Sequence, residues 1–133
     1  MKKGRYILNE WMRRYVTDGY MDFYRNNIVR FMLLAIALLQ MIAFGLLTFF
    51  VRSAQSIVIV HYNVYFGVDI VGEWAQVFMV PLVTFVFVIV NVFLAQWFYS
   101  QKERIASYVL LLTSLLISLG SVVACSGIAL INY

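Results

Sequence analysis

Residues 56–74 read SIVIVHYNVYFGVDIVGEW, and the number of membrane crossings turns on how this stretch is taken. It is apolar, yet His61, Asn63, Asp69 and Glu73 interrupt it. Ionisable groups at mid-bilayer are costly, so a buried helix is a poor reading. Val, Ile, Tyr and Phe favour extended backbone, while Gly67 and Gly72 favour turns. The stretch is therefore expected as a short hairpin or an extended segment resting on an outer membrane face. A fourth span here would also move Lys102 and Arg104 to the outside.

Working outward, three apolar runs surround it, at 31–51, 77–99 and 105–131, and none contains Asp, Glu, Lys, Arg or His. A bilayer core of about 30 Å needs roughly 20 residues of helix at 1.5 Å rise per residue. All three runs are long enough. The chain has 133 residues, 64% of them hydrophobic and 12% charged. A soluble domain this small could not hide so much apolar surface. The expected fold is an all-α membrane protein of one domain, residues 1–133. Three transmembrane helices follow an amphipathic interfacial helix at 1–28, with a loop at 52–76 and a turn at 101–104.

Charge orients this plan. Lys2, Lys3, Arg5, Arg13, Arg14, Arg25 and Arg30 precede the first span; Lys102 and Arg104 lie between the second and third; the long loop holds only Arg52. Basic residues favour the cytoplasmic side. The N-terminus is expected in the cytoplasm, the 52–76 loop outside, and the C-terminus outside, in a multi-pass cell-membrane protein. About 30 residues precede the first apolar run, which reads as a retained anchor rather than a cleaved signal. Within the leading segment Ile7, Leu8, Trp11, Met12, Tyr15 and Val16 recur at helical spacing, with Arg5, Glu10, Arg13, Arg14 and Asp18 largely off that stripe. Such a helix lies flat on a lipid surface or docks on a partner there. The aromatic stripe fits lipid better than a phosphate track, so no nucleic-acid role is expected.

Polar residues inside the runs point to helix packing. Gln40 shares a face with Ala37, Phe44 and Thr48; Asn91 shares one with Pro81, Thr84, Val88 and Ala95. An amide in hydrocarbon needs a partner, and a Gln40–Asn91 contact is one expectation. The third run carries two rows of small residues. One is Thr113, Gly120, Ala124 and Gly127; the other is Ser114, Ser118, Ser121 and Cys125. Both are expected to pack, either inside the bundle or at an oligomer seam, with Leu112, Leu115, Leu116, Leu119, Val122, Val123 and Leu130 toward lipid. Trp74, Trp97, Tyr99, Tyr108 and Tyr133 at the run ends read as an aromatic belt.

Chemistry is sparse. One histidine and one cysteine, Cys125, give no disulfide within the chain, no metal-spaced pair and no nucleophile–base arrangement. No glycine-rich phosphate loop or cofactor motif is present. No catalytic residue, metal site or cofactor is expected, and the chain is read as a non-enzyme. The candidate site is the outer loop, His61, Asn63, Asp69 and Glu73. These four either fix the loop by hydrogen bonds or form a sensor for a peptide, ion or proton.

The string His61-Tyr62-Asn63 followed by Gly67, Asp69 and Gly72 resembles the outer loop of small bacterial membrane domains of unknown function. Some members accompany immunity proteins of the SdpI type. The present chain lacks the proline that precedes the histidine in that pattern. The HYN-x-YFG-x-D loop, Pro81, Asn91 and the short basic turn also resemble uncharacterised membrane proteins of candidate-phylum bacteria, over about residues 30 to 130. The resemblance implies a shared fold and brings no activity. The functional expectation is a scaffold or accessory subunit of a membrane assembly, with protein partners or other copies of itself; the alternative is a sensor or immunity-type protein.

Overall fold

A computed structural model describes residue 19 and residues 21–51 and 57–132. The amphipathic stripe from Ile7 to Val16 and the loop residue Arg52 lie outside the described residues. Three long helices dominate: α1 (Asn27–Phe50), α2 (Met79–Ser100) and α3 (Arg104–Ile131). A short helical run at 21–25 precedes α1. Between α1 and α2 lie strands β1 (Val58–Asn63) and β2 (Gly67–Gly72), then a 3₁₀ turn, Trp74–Phe78. Each long helix is long and apolar enough to cross a membrane.

The first helix starts four residues before the apolar run, and the reason is a cap. Asn26 is extended, and its Oδ1 accepts from the Ile28 and Val29 backbone N–H groups at 2.9 and 3.4 Å. This satisfies donors that a helix start otherwise leaves open. The same side chain ties the bundle together. Its Nδ2 donates to the Tyr108 hydroxyl at 2.9 Å and the Tyr99 hydroxyl at 3.2 Å. One amide thus joins the start of α1, the end of α2 and the start of α3. Phe23 is fully buried beside it, edge-on to Tyr99 at 5.4 Å. The Arg104 guanidinium lies 5.7 Å from the Tyr99 ring centre. Tyr99 is buried and Tyr108 half-buried, so these two leave the expected aromatic belt and form an internal knot instead. Trp74 and Trp97 are exposed.

The turn from α2 to α3 is equally specific. The Glu103 N–H donates to the Phe98 carbonyl and the Lys102 N–H to the Tyr99 carbonyl, both at 3.0 Å. This is a Schellman ending, whose left-handed position usually holds glycine. Here Lys102 occupies it, at φ 66°. A left-handed non-glycine residue costs about 1–2 kcal/mol. Lys102→Gly is expected to raise stability by about 1 kcal/mol, read as a higher melting temperature in detergent. An unchanged or lowered melting temperature would mean that the lysine is compensated at this turn. Close approach continues next door, where a Cβ added to Gly19 would stand 3.0 Å from the Ser100 Cα.

The third helix lies between the other two; α1 and α2 hardly meet. Its buried stripe is Ser107, Leu111, Ser114, Ser118, Ser121, Cys125 and Ile128. Small side chains let two helices approach α3 closely on one seam. The second small row faces outward: Thr113, Gly120 and Ala124 are exposed and Gly127 is half-buried, so of its two expected places it does not take the one inside the bundle. A helix packed against two neighbours buries a limited arc, and that arc is centred on the serine row. The first-helix face is corrected by about 70° at 100° per residue. Val29, Ile36, Gln40, Ala43 and Leu47 are buried, whereas Ala37 and Thr48 are exposed.

Two apolar clusters result. One holds Phe23, Val29, Ile36, Val88, Ala95, Tyr99 and Leu111 at the charged end. The other holds Ala43, Leu47, Val51, Val58, Val77, Cys125 and Ile128 under the hairpin.

Candidate functional site

Within this stretch residues 58–72 fold as an antiparallel hairpin, one of the two conformations expected. Its register explains its shape. Ile59 pairs with Val71, His61 with Ile70 and Tyr62 with Val68. Val60 on one strand and Asp69 on the other are thereby left over, so each strand carries a bulge. Bulges bend a strand and raise its twist. At the tip Asn63 pairs with Gly67 around Val64, Tyr65 and Phe66. Gly67 has φ 81°, the left-handed residue such three-residue loops require. Asn63 Oδ1 accepts from the Tyr65 N–H at 2.9 Å and closes the turn. Gly67→Ala forces a Cβ into that conformation and is expected to cost the hairpin about 1–2 kcal/mol. Hydrogen exchange of the 58–72 amides should quicken while α3 stays protected. Equal protection in both regions would show that the turn is not what limits the hairpin.

A two-stranded hairpin is marginal by itself. This one is clamped. Asn132, just past α3, accepts from the Ile59 N–H at 2.8 Å through Oδ1 and donates to the Ile59 carbonyl at 2.7 Å through Nδ2. Its amide stands in for the backbone of a neighbouring strand. Nδ2 also donates to the Ile128 carbonyl at 2.8 Å, which fixes the side chain to the helix end. Val58, fully buried with Val77, supplies the apolar side of the joint.

The sequence-derived site residues divide as follows. His61 sits on β1 and is exposed. Asn63 serves the turn. Asp69 occupies the bulge of β2, one residue from the partner of His61. Glu73 is exposed after β2. The hairpin thus brings His61 and Asp69 to adjacent strands, while Asn63 and Glu73 lie at its opposite ends. Among the described residues no three of His, Cys, Asp and Glu gather as a metal set. What the hairpin does present is apolar: Val64, Tyr65 and Phe66 at the tip are 84, 91 and 83% exposed.

Inside the bundle Gln40 meets a different residue from the one expected. Its Nε2 donates to Ser118 Oγ at 3.3 Å, not to Asn91. At 100° per residue, Asn91 lies on the Thr84 side of α2, and Phe85 and Val92 face α1. The Gln40–Asn91 contact within one chain therefore fails on direction. Thr84 donates to the Pro81 carbonyl at 2.9 Å and also lies 3.1 Å from Ser121 Oγ. Among the described residues two buried side-chain oxygens, Gln40 Oε1 and Ser107 Oγ, have no hydrogen-bond partner.

Sequence reading missed Asn26 and Asn132, the two amides that hold the ends. Asn26 carried a signal, an asparagine just before a long apolar helix. Asn132 carried none, because its role depends on a strand 73 residues earlier. Comparison with family models, curated proteins and solved structures returns no match.

Proposed function

We propose that the chain is a non-enzymatic integral membrane protein, N-terminus in the cytoplasm, that serves as a scaffold or accessory subunit of a larger membrane assembly. The observation that carries this reading is outward-facing apolar surface. Less than a third of each membrane-length helix is buried within the chain. Lipid covers smooth leucine-rich faces, but the apolar hairpin tip and the open small-residue row suit protein contacts. The basic residues Arg25, Arg30, Lys102 and Arg104 gather at the end opposite the hairpin, which supports the orientation. The test is to purify the protein from its native membrane in mild detergent and weigh the particle. A discrete particle with other subunits is expected; a lone chain of 15.4 kDa would overturn the proposal.

A second reading is favoured by the exposure of His61 on a clamped hairpin. In it the loop senses a peptide, ion or proton, in keeping with its likeness to domains that accompany immunity proteins. His61→Ala and Asp69→Ala should then abolish the response and leave insertion intact. Wild-type behaviour of both variants would remove this reading.

A further inference from the structure

Because α3 lies between α1 and α2, those two helices leave an open groove between them, of about 510 Å³. Leu33, Met41, Phe44, Phe85 and Val92 line it. Gln40 also borders it, but donates to Ser118 and is 5% exposed, so the surface on show is hydrocarbon. Leu33 to Phe44 spans about 16 Å along α1. That is half of a bilayer core of about 30 Å, or one leaflet. It is the half next to the charged end, because the groove begins three residues after Arg30. Its bulky walls differ from the small-residue seams at which helices come together.

The mouth of this groove is basic. Arg30, Leu33, Ala37, Met41 and Phe44 follow at three- and four-residue spacing, so Arg30 stands on the groove face of α1, one turn beyond the lining. Arg30 is exposed, and its Nε donates to the Tyr24 carbonyl, which draws the guanidinium back toward the helix start. Among the described residues this is the one hydrogen bond of that guanidinium, and its two Nη groups are left as a planar fork for an anion. On α2, Phe85, Val88, Val92 and Tyr99 share a face, and the Arg104 guanidinium lies 5.7 Å from the Tyr99 ring centre. Arg25, Arg30, Lys102 and Arg104 outnumber Asp22 and Glu103 among the described residues of this end, which leaves a surplus of positive charge.

We infer that the groove holds one acyl chain of an anionic phospholipid of the cytoplasmic leaflet, with the lipid phosphate bound by Arg30. Apolar walls of one-leaflet length and a guanidinium at headgroup depth follow each other on one helix face, in the order of the parts of a phospholipid. A partner helix would cross both leaflets, well past the end of the groove at Phe44. The positive surplus favours a headgroup of net negative charge over a zwitterionic one. The inference rests on the membrane reading above and is independent of the accessory role.

The experiment is native mass spectrometry of the full chain in detergent, after exposure to equal amounts of phosphatidylglycerol and phosphatidylcholine. One retained phosphatidylglycerol per chain is expected, favoured over phosphatidylcholine about fivefold. Arg30→Gln should remove most of that preference. Lys102→Gln takes the same charge from the α2–α3 turn and should keep it. Ala37→Trp fills the groove and should lower retention of both lipids. Arg30 and Ala37 are exposed, so both variants should keep the wild-type melting temperature. An equal loss of preference in Lys102→Gln would mean diffuse surface charge and overturns the inference. So does retention without preference, or retention that Ala37→Trp leaves unchanged. Protein that alkaline carbonate strips from vesicles would sink the membrane reading and this inference together. Inserted protein that keeps no lipid would sink the inference alone.

Discussion

Asn132→Asp is expected to free the hairpin from the helices, at a cost of about 3 kcal/mol. The substitution changes one atom group and almost no volume. The amide accepts from the Ile59 N–H and donates to the Ile59 and Ile128 carbonyls. A carboxylate cannot donate, and its negative oxygen would face both carbonyl oxygens. Each lost bond is worth about 1 kcal/mol, and more where a buried acceptor is left unpaired. The readout is hydrogen exchange. Amides of β1 and β2 should lose most of their protection, and those in the middle of α3 should keep it. Asn132→Ala should have the same pattern with a smaller loss. If protection in the strands is unchanged, the apolar contact of Val58 with Val77 holds the hairpin and the clamp is incidental.

Asn26→Ala should be about as damaging, at about 3 kcal/mol, and its effect should be global. Losing the cap costs about 1 kcal/mol. The two bonds to Tyr99 and Tyr108 add about 1 kcal/mol each. Because they join all three helices, the loss should appear as a lower melting temperature of the whole bundle in detergent. Tyr108→Phe removes one of these bonds and should cost about 1 kcal/mol. In the double variant that cost should vanish, since the two residues share the interaction. Full additivity would show that the tyrosine hydroxyl is satisfied by something other than Asn26.

These two asparagines mark where sequence reasoning stops. The three helices were legible because composition and length suffice for them. Their ends were read within a few residues; α1 begins early because Asn26 caps it. The hairpin was legible from β-branched and aromatic residues between glycines. Which face of each helix turns inward was not. In a soluble helix the apolar stripe marks the core, but here every face is apolar and the moment is weak. Direction is then decided by small residues and hydrogen bonds between helices. The third helix offered two equally good small rows, and only the serine row is buried. Gln40 was rightly seen to need a partner, but Ser118 and Asn91 were both available. Local spacing could not choose between them. For the loop, the residues that looked chemical were visible at once. That Asn63 is used by its own turn, and that Asp69 falls in a bulge, depends on a register set by strand pairing.

The central position of α3 also imposes a timetable. Both of the other helices, and the hairpin, are made before the helix that they pack against. Gln40 precedes its partner Ser118 by 78 residues and Asn26 precedes Tyr108 by 82. At a synthesis rate of about 5–20 residues per second, that is a delay of about 4 to 16 s. Until then Gln40 lacks Ser118 and Asn26 lacks Tyr108, although Asn26 already caps α1 and has Tyr99 to bond. Some hydrogen-bonding groups of the first two helices thus wait seconds for the side chains that α3 brings. Closure of this bundle therefore waits on the ribosome, because the last helix to be made is the one that fastens the other two.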